Sequence, residues 1–124
     1  MKLALSLLAL SIPVWAHHSF TAEYDDAKPV KMSGVITKVE WQNPHIWFYL
    51  DVKDEGGKVA NWACSGGAPG QLMRRGIYKD VLKLGSTVNV DGFRAKDGSN
   101  NCFGSRVTFA DGKAVFTAGD PDKK

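Results

Sequence analysis

From residue 45 to residue 53 the side chains alternate cleanly. Ile46, Phe48, Leu50 and Val52 form one set, and His45, Trp47, Tyr49 and Asp51 form the other. A period of two over this length predicts a strand with one buried face, so the first set is expected in the core. Val30 to Trp41 predicts another strand. Val30 and Met32 share one parity, and Val35, Thr37, Val39 and Trp41 share the other. The phase change is placed at Gly34, where a bulge or sharp bend is expected. Between the two strands, Gln42-Asn43-Pro44 reads as a turn, because Pro44 drives Asn43 out of the helical region.

Asp54-Glu55-Gly56-Gly57 predicts a hairpin turn into a third strand over 58–64. Residues 65–76 break the series: Pro69 starts a short helix, Leu72 and Met73 pack inward, and Gly76 ends it. A connector over 82–85 leads to a fourth strand over 87–95, with Val88 and Val90 inward and Gly92 at a bend. After a turn-rich loop over 96–101, a fifth strand runs over 102–109 with Phe103, Val107 and Phe109 on one side. Asp111-Gly112 turns the chain into a short last strand over 113–117. The fold class expected is mainly β: a small OB-like Greek-key barrel of five to six strands, with one short helix between strands three and four. A six-stranded sandwich is the alternative, and the place of the helix favours the barrel.

The ends of the chain follow other patterns. Residues 3–14 are an apolar run behind the single charge of Lys2, too short to span a bilayer. Val14 and Ala16 stand at the −3 and −1 positions of a small-residue cleavage site. Residues 1–16 are therefore expected to be a signal peptide, and the product a periplasmic or secreted protein with no membrane span of its own. Residues 17–29 have neither helical nor strand period and predict an extended arm, pinned by Phe20 and Tyr24, on a domain covering 17–118. Residues 119–124 predict a disordered tail.

Removing residues 1–16 leaves 108 of the 124, enough for one compact domain and too few for two. Without Lys2 the chain carries 15 basic and 13 acidic residues, interspersed rather than clustered. That balance argues against a nucleic-acid stripe. Two cysteines in an exported chain, Cys64 and Cys102, predict one disulfide, from the end of strand three to the start of strand five.

These pieces resemble a family of small secreted bacterial proteins of unknown function. The resemblance rests on His17-His18-Ser19-Phe20 after Ala16, Glu23-Tyr24-Asp25, Val39-Glu40-Trp41 with Asn43-Pro44-His45, and Asn61-Trp62-Ala63. Leu72-Met73-Arg74-Arg75-Gly76 and the stretch Gly92-Phe93-Arg94-Ala95-Lys96-Asp97-Gly98 complete it. It covers nearly the whole mature chain and implies an exported OB-like domain, without an activity to carry over. Cys64 and Cys102 stand outside that pattern and look like a pair acquired together.

Chemistry points first to the new terminus. Cleavage after Ala16 frees the His17 α-amine, so that one residue offers a metal its amine and its ring Nδ1. His45, held by Asn43-Pro44 at the start of a strand, offers a third nitrogen. The arrangement resembles the histidine brace of copper-dependent polysaccharide monooxygenases and of some periplasmic copper-binding proteins. Three nitrogens favour copper, with zinc second. His18 opens a competing site made of amine, intervening amide and its own ring. The bland reading is a solvated His17-His18 terminus and a rim histidine at 45. A carrier or sequestering role is expected rather than catalysis, since so short a chain leaves little room for a large flat substrate surface.

The alternative is a non-metal OB-type binding module for a small molecule, glycan or partner protein. Trp41, Trp47 and Tyr49, with Trp62, would supply a stacking platform. Arg74, Arg75, Arg94 and Lys96 would accept an anion, against the plainer reading of core aromatics and solvated charge. No catalytic triad or paired carboxylates can be picked out. The glycines after Ser65 lack the Lys-Ser/Thr of a phosphate loop.

Overall fold

A computed structural model describes residues 20–117, with side chains described from Ala22 onward. The predicted signal segment, His17, His18 and the predicted tail lie outside the described residues, as does the Phe20 side chain. The elements in order are α1 (Phe20–Glu23), β1 (Tyr24–Glu40), β2 (Trp47–Lys53), β3 (Val59–Ser65), α2 (Pro69–Arg74), β4 (Thr87–Ala95), β5 (Asn101–Phe109) and β6 (Ala114–Thr117). They form one sheet in the order β3-β2-β1-β4-β5-β6. A further β3–β5 pairing brings the five long strands into a ring. The pairings are antiparallel except for that short β3–β5 seam, which is parallel. The fold is thus mainly β and OB-like, and α2 falls between β3 and β4 as expected.

The inward face of β2 is the floor of the core. Ile46, Phe48 and Leu50 are fully buried beside Val88, Val90 and Val107. Burying each such side chain is worth about 1.5–3 kcal/mol over leaving it in water. The Phe48 and Phe116 rings meet edge-on at 6.0 Å, which brings β6 onto the same core. At one end α2 begins at Pro69. It closes with Ile77 N–H donating to Leu72 O at 3.0 Å and Gly76 N–H to Met73 O at 3.0 Å. That pair of bonds satisfies carbonyls the helix end would otherwise leave open.

The inward faces differ from the sequence expectation in two strands and in the helix α2. In β1 the change of parity does not fall at Gly34. Its register slips between Ile36 and Lys38, so Ile36 is buried while Val35 stays 40% exposed. The extra residue, Thr37, lets Val39 and Trp41 return to the core on the far side of the slip. Gly34 answers a different need: a Cβ there would sit 2.6 Å from Asp51 O, where β1 crosses from β4 to β2.

In β5, Phe103 does not share a face with Val107. The ladder passes from Asp91↔Arg106 to Gly92↔Gly104, which leaves Ser105 unmatched and reverses the parity upstream of it. Phe103 therefore joins Tyr24 and Ala95 in a second cluster, while Val107 stays in the main one. In α2, Leu72 is buried but Met73 is 47% exposed. Neighbouring helical residues point about 100° apart, and two turns present only a narrow inner face.

The arm is also more structured than expected. Residues 20–23 form a helical turn, and residues 24–29 belong to β1. Tyr24 pairs with Ala95 and Pro29 with Phe93. The chain between them makes an excursion closed by the Asp25 carboxylate, which accepts the Ala27 N–H at 3.0 Å.

Cys64 and Cys102 are bonded, as expected. They face each other across the β3–β5 seam with Cα atoms 4.6 Å apart, both fully buried.

Candidate functional site

Trp47 and the N-terminal segment meet near the start of β2. The Asn43–Pro44 peptide is cis, and His45 follows it exposed to solvent. Its neighbour Ile46 is anchored on both sides of its backbone. Ile46 N–H donates to Gly67 O at 3.0 Å, and Ile46 O accepts the Gly66 N–H at 2.9 Å. His45 is thereby held at the rim of the ring, on a backbone that the β3–α2 loop fixes. Among the described residues no group of three or more His, Cys, Asp or Glu side chains is gathered closely enough to hold a metal ion.

Two residues on, Trp47 is half-buried on the outer face of β2, opposite Glu40 on one side and Ser65 on the other. It lines a cleft of about 360 Å³ together with Ala22, Glu23 and Tyr24 of the N-terminal segment and Lys96 and Asp97 of the β4–β5 loop. The segment is seated there by specific bonds. Lys96 N–H donates to Glu23 O at 2.9 Å. The Tyr24 hydroxyl and Ser65 Oγ form a buried bond of 2.9 Å. Burial of the ring pushes the Tyr24 phenol above its usual range, against the smaller opposing effect of the Ser65 bond. The sequence reading caught Tyr24 as a pinning residue but missed its partner, Ser65. A lone serine directly after a core cysteine was the available signal.

Tyr49, next on that outer face, is occupied by its own chain. The Lys38 ammonium lies 5.2 Å from its ring centroid and 2.7 Å from Glu40 Oε1, and the Tyr49 hydroxyl donates to Glu40 Oε2 at 3.3 Å. The hydrogen bond to Lys38 holds the Glu40 carboxyl below its usual value, and the same bond raises Lys38. Tyr49 is raised, first by burial and then by the Glu40 charge.

The remaining candidates are dispersed. Trp41 and Trp62 pack against the main core, and the Arg94 guanidinium lies 5.1 Å from the Trp62 ring centroid. Arg94 also donates to the carbonyls of Ser99 and Gly98 at 3.1 and 2.8 Å, tying the 96–101 loop to β4. Arg75 Nη1 donates to Thr117 O at 2.7 Å, and Arg74 is exposed. The four aromatics and four cations therefore do not converge on one place. Only Trp47 and Lys96 share the cleft.

Residues 5–104 match the sequence model of a family of unknown function, DUF6152. The chain belongs to that family. The DUF6152 match spans His17, His18, His45, Trp47 and both cysteines. No curated protein matches the chain. Among solved structures, the DUF6152 chain is similar to the ZRD-deleted mutant of TiaS in complex with agmatine, with a TM-score of 0.48 and 14% sequence identity. That likeness covers 81% of this chain and 24% of the TiaS chain. No helix among the described residues is long and apolar enough to cross a membrane.

Proposed function

We propose that this DUF6152 protein is an exported copper-binding protein of the periplasm. In this reading the mature chain starts at His17, and its amine and ring Nδ1 chelate Cu(II) together with the His45 ring. One observation carries the reading. Ala22 and Glu23 line the same cleft as Trp47, the first residue of β2, and His45 precedes Trp47 by two residues. His17 precedes Phe20 by three residues, and an extended chain covers about 3.3–3.6 Å per residue. An all-nitrogen donor set favours Cu(II), with zinc second. A bound ion would be carried or sequestered, and the chain's own residues supply only ligation and placement.

The test is a Cu(II) titration of protein starting at His17. One tight equivalent is expected, weakened when a single alanine precedes His17, because the amine is then an amide. His45→Ala should weaken it as well. Affinity should fall as pH drops from about 8 to about 6, since amine and imidazoles must be deprotonated to bind. If His45→Ala changes nothing while His18→Ala abolishes binding, copper sits on a peptide-like terminus and this reading is wrong.

A second reading, an OB-type module for a small molecule, glycan or partner protein, is favoured by the half-buried indole of Trp47 in the cleft. Loss of binding in Trp47→Ala, with copper affinity unchanged, would support it.

A further inference from the structure

Among residues 22–29, Tyr24 is the buried one, 7% exposed, while its neighbours are exposed or half-buried. Besides backbone bonds to β4 and Lys96, the segment is therefore anchored by the Tyr24 side chain. Its hydroxyl bonds to Ser65 Oγ at 2.9 Å, and its ring lies 5.9 Å from the Phe103 ring at a tilt of 49°. Ser65 directly follows Cys64, and Phe103 directly follows Cys102. The two are also paired with each other across the β3–β5 seam. Two contacts of Tyr24 thus fall on the residues just beyond the two ends of the disulfide.

The seam itself is slight. It consists of Ala63↔Asn101, Cys64↔Cys102 and Ser65↔Phe103, in the parallel arrangement, which is the less stable per residue. The disulfide is its middle pair. Without that covalent tie, Ser65 and Phe103 are joined across the seam by backbone pairing alone, and a ring that must meet both at once is seated less firmly.

We propose that Tyr24 is the positioning residue of the N-terminal segment and that the Cys64–Cys102 disulfide is its backing. The disulfide then sets where the N-terminal end of the chain lies on the cleft, besides closing the ring. The structure supplies a direct reporter. Lys96 N–H donates to Glu23 O at 2.9 Å and is released when the segment lifts, whereas Ile36 N–H, bonded to Ser86 O at 2.9 Å, belongs to the β1–β4 side of the ring. A purely global loss of stability speeds exchange at both amides. Unseating of Tyr24 speeds it at Lys96 alone.

The experiment follows amide exchange by NMR in protein starting at His17. It compares wild type, Tyr24→Phe/Ser65→Ala, Tyr24→Ala and Cys64→Ala/Cys102→Ala. The expected result is Lys96 exchange faster by about tenfold or more in each variant, with the ratio of Lys96 to Ile36 rates raised, as for a local opening. Should Tyr24→Ala or the cysteine pair fail to fold, Tyr24→Phe/Ser65→Ala decides, since it keeps the ring and removes only the buried bond. An unchanged Lys96-to-Ile36 ratio in the folded variants overturns the proposal.

Its consequence for copper rests on the reading above: Tyr24→Ala should also weaken Cu(II) binding by about tenfold, through misplacement of the chelating terminus. Weak copper binding by wild type would sink the copper reading and leave the exchange result standing. Tight wild-type binding unchanged in a folded Tyr24→Ala would sever the seat from the metal.

Discussion

Gly92 lies so close to the Phe103 backbone that a Cβ on it would collide with the Phe103 carbonyl oxygen. The contact sits at the β4–β5 register slip, where the two strands approach without room for a side chain. Gly92→Ala must push the strands apart. Overpacking of this kind costs about 1–3 kcal/mol, and more where backbone has to move. Urea denaturation should show at least that loss, and a neutral result would contradict the approach of the two strands.

Leu50 is fully buried within the alternating face of β2, and Leu50→Ala should cost roughly 2–5 kcal/mol through lost transfer energy and the cavity left behind. The midpoint of chemical denaturation measures it. A near-neutral value would place this face of β2 toward solvent.

Cys64 and Cys102, 38 residues apart in sequence, should give no titratable thiol in unreduced, denatured protein. Replacing both by alanine should lower stability by about 4 kcal/mol, the loop-closure entropy restored to the unfolded chain. Two free thiols would refute the bridge.

The Lys38–Glu40–Tyr49 cluster predicts a pH response at the surface. Glu40 is held low mainly by its hydrogen bond from Lys38, so the folded state favours the carboxylate. Its small contribution is present above the ordinary carboxylate range and fades as pH falls through the folded value. Tyr49 is raised, so its contribution is present below the ordinary phenol value and fades as pH rises through the folded one. An NMR titration of Lys38→Met should find Glu40 moved up toward its usual value. A titration curve identical to wild type would mean that the ion pair does not form in solution.

Alternation carried most of the ring. Ile46, Phe48 and Leu50 sit where their parity put them, Val88 and Val90 likewise, and the hairpin at 54–57 and the helix start at Pro69 stand where turn chemistry placed them. Such features are local: side-chain period, a proline's φ and a glycine-rich turn are written in a few adjacent residues. The pairing of Cys64 with Cys102 needed only that the chain has two cysteines. The strand expected from His45 begins instead at Trp47, because His45 and Ile46 are held by the cis-proline turn and by bonds to Gly66 and Gly67 rather than by a ladder.

What adjacent residues do not carry is register between distant strands, and there the tertiary structure decided. The slips beside Thr37 and Ser105 depend on how much twist each strand must absorb to reach its partner, which no window of single-chain alternation reports. They sent Ile36 inward, left Val35 exposed and moved Phe103 out of the Val107 face. The candidate site shows the same division. Sequence alone put a chelating terminus and His45 on the list and could say nothing of their separation. The cleft that brings Ala22 and Glu23 beside Trp47 exists because Tyr24 finds Ser65, 41 residues away, and that meeting is made by closure of the β3–β5 seam.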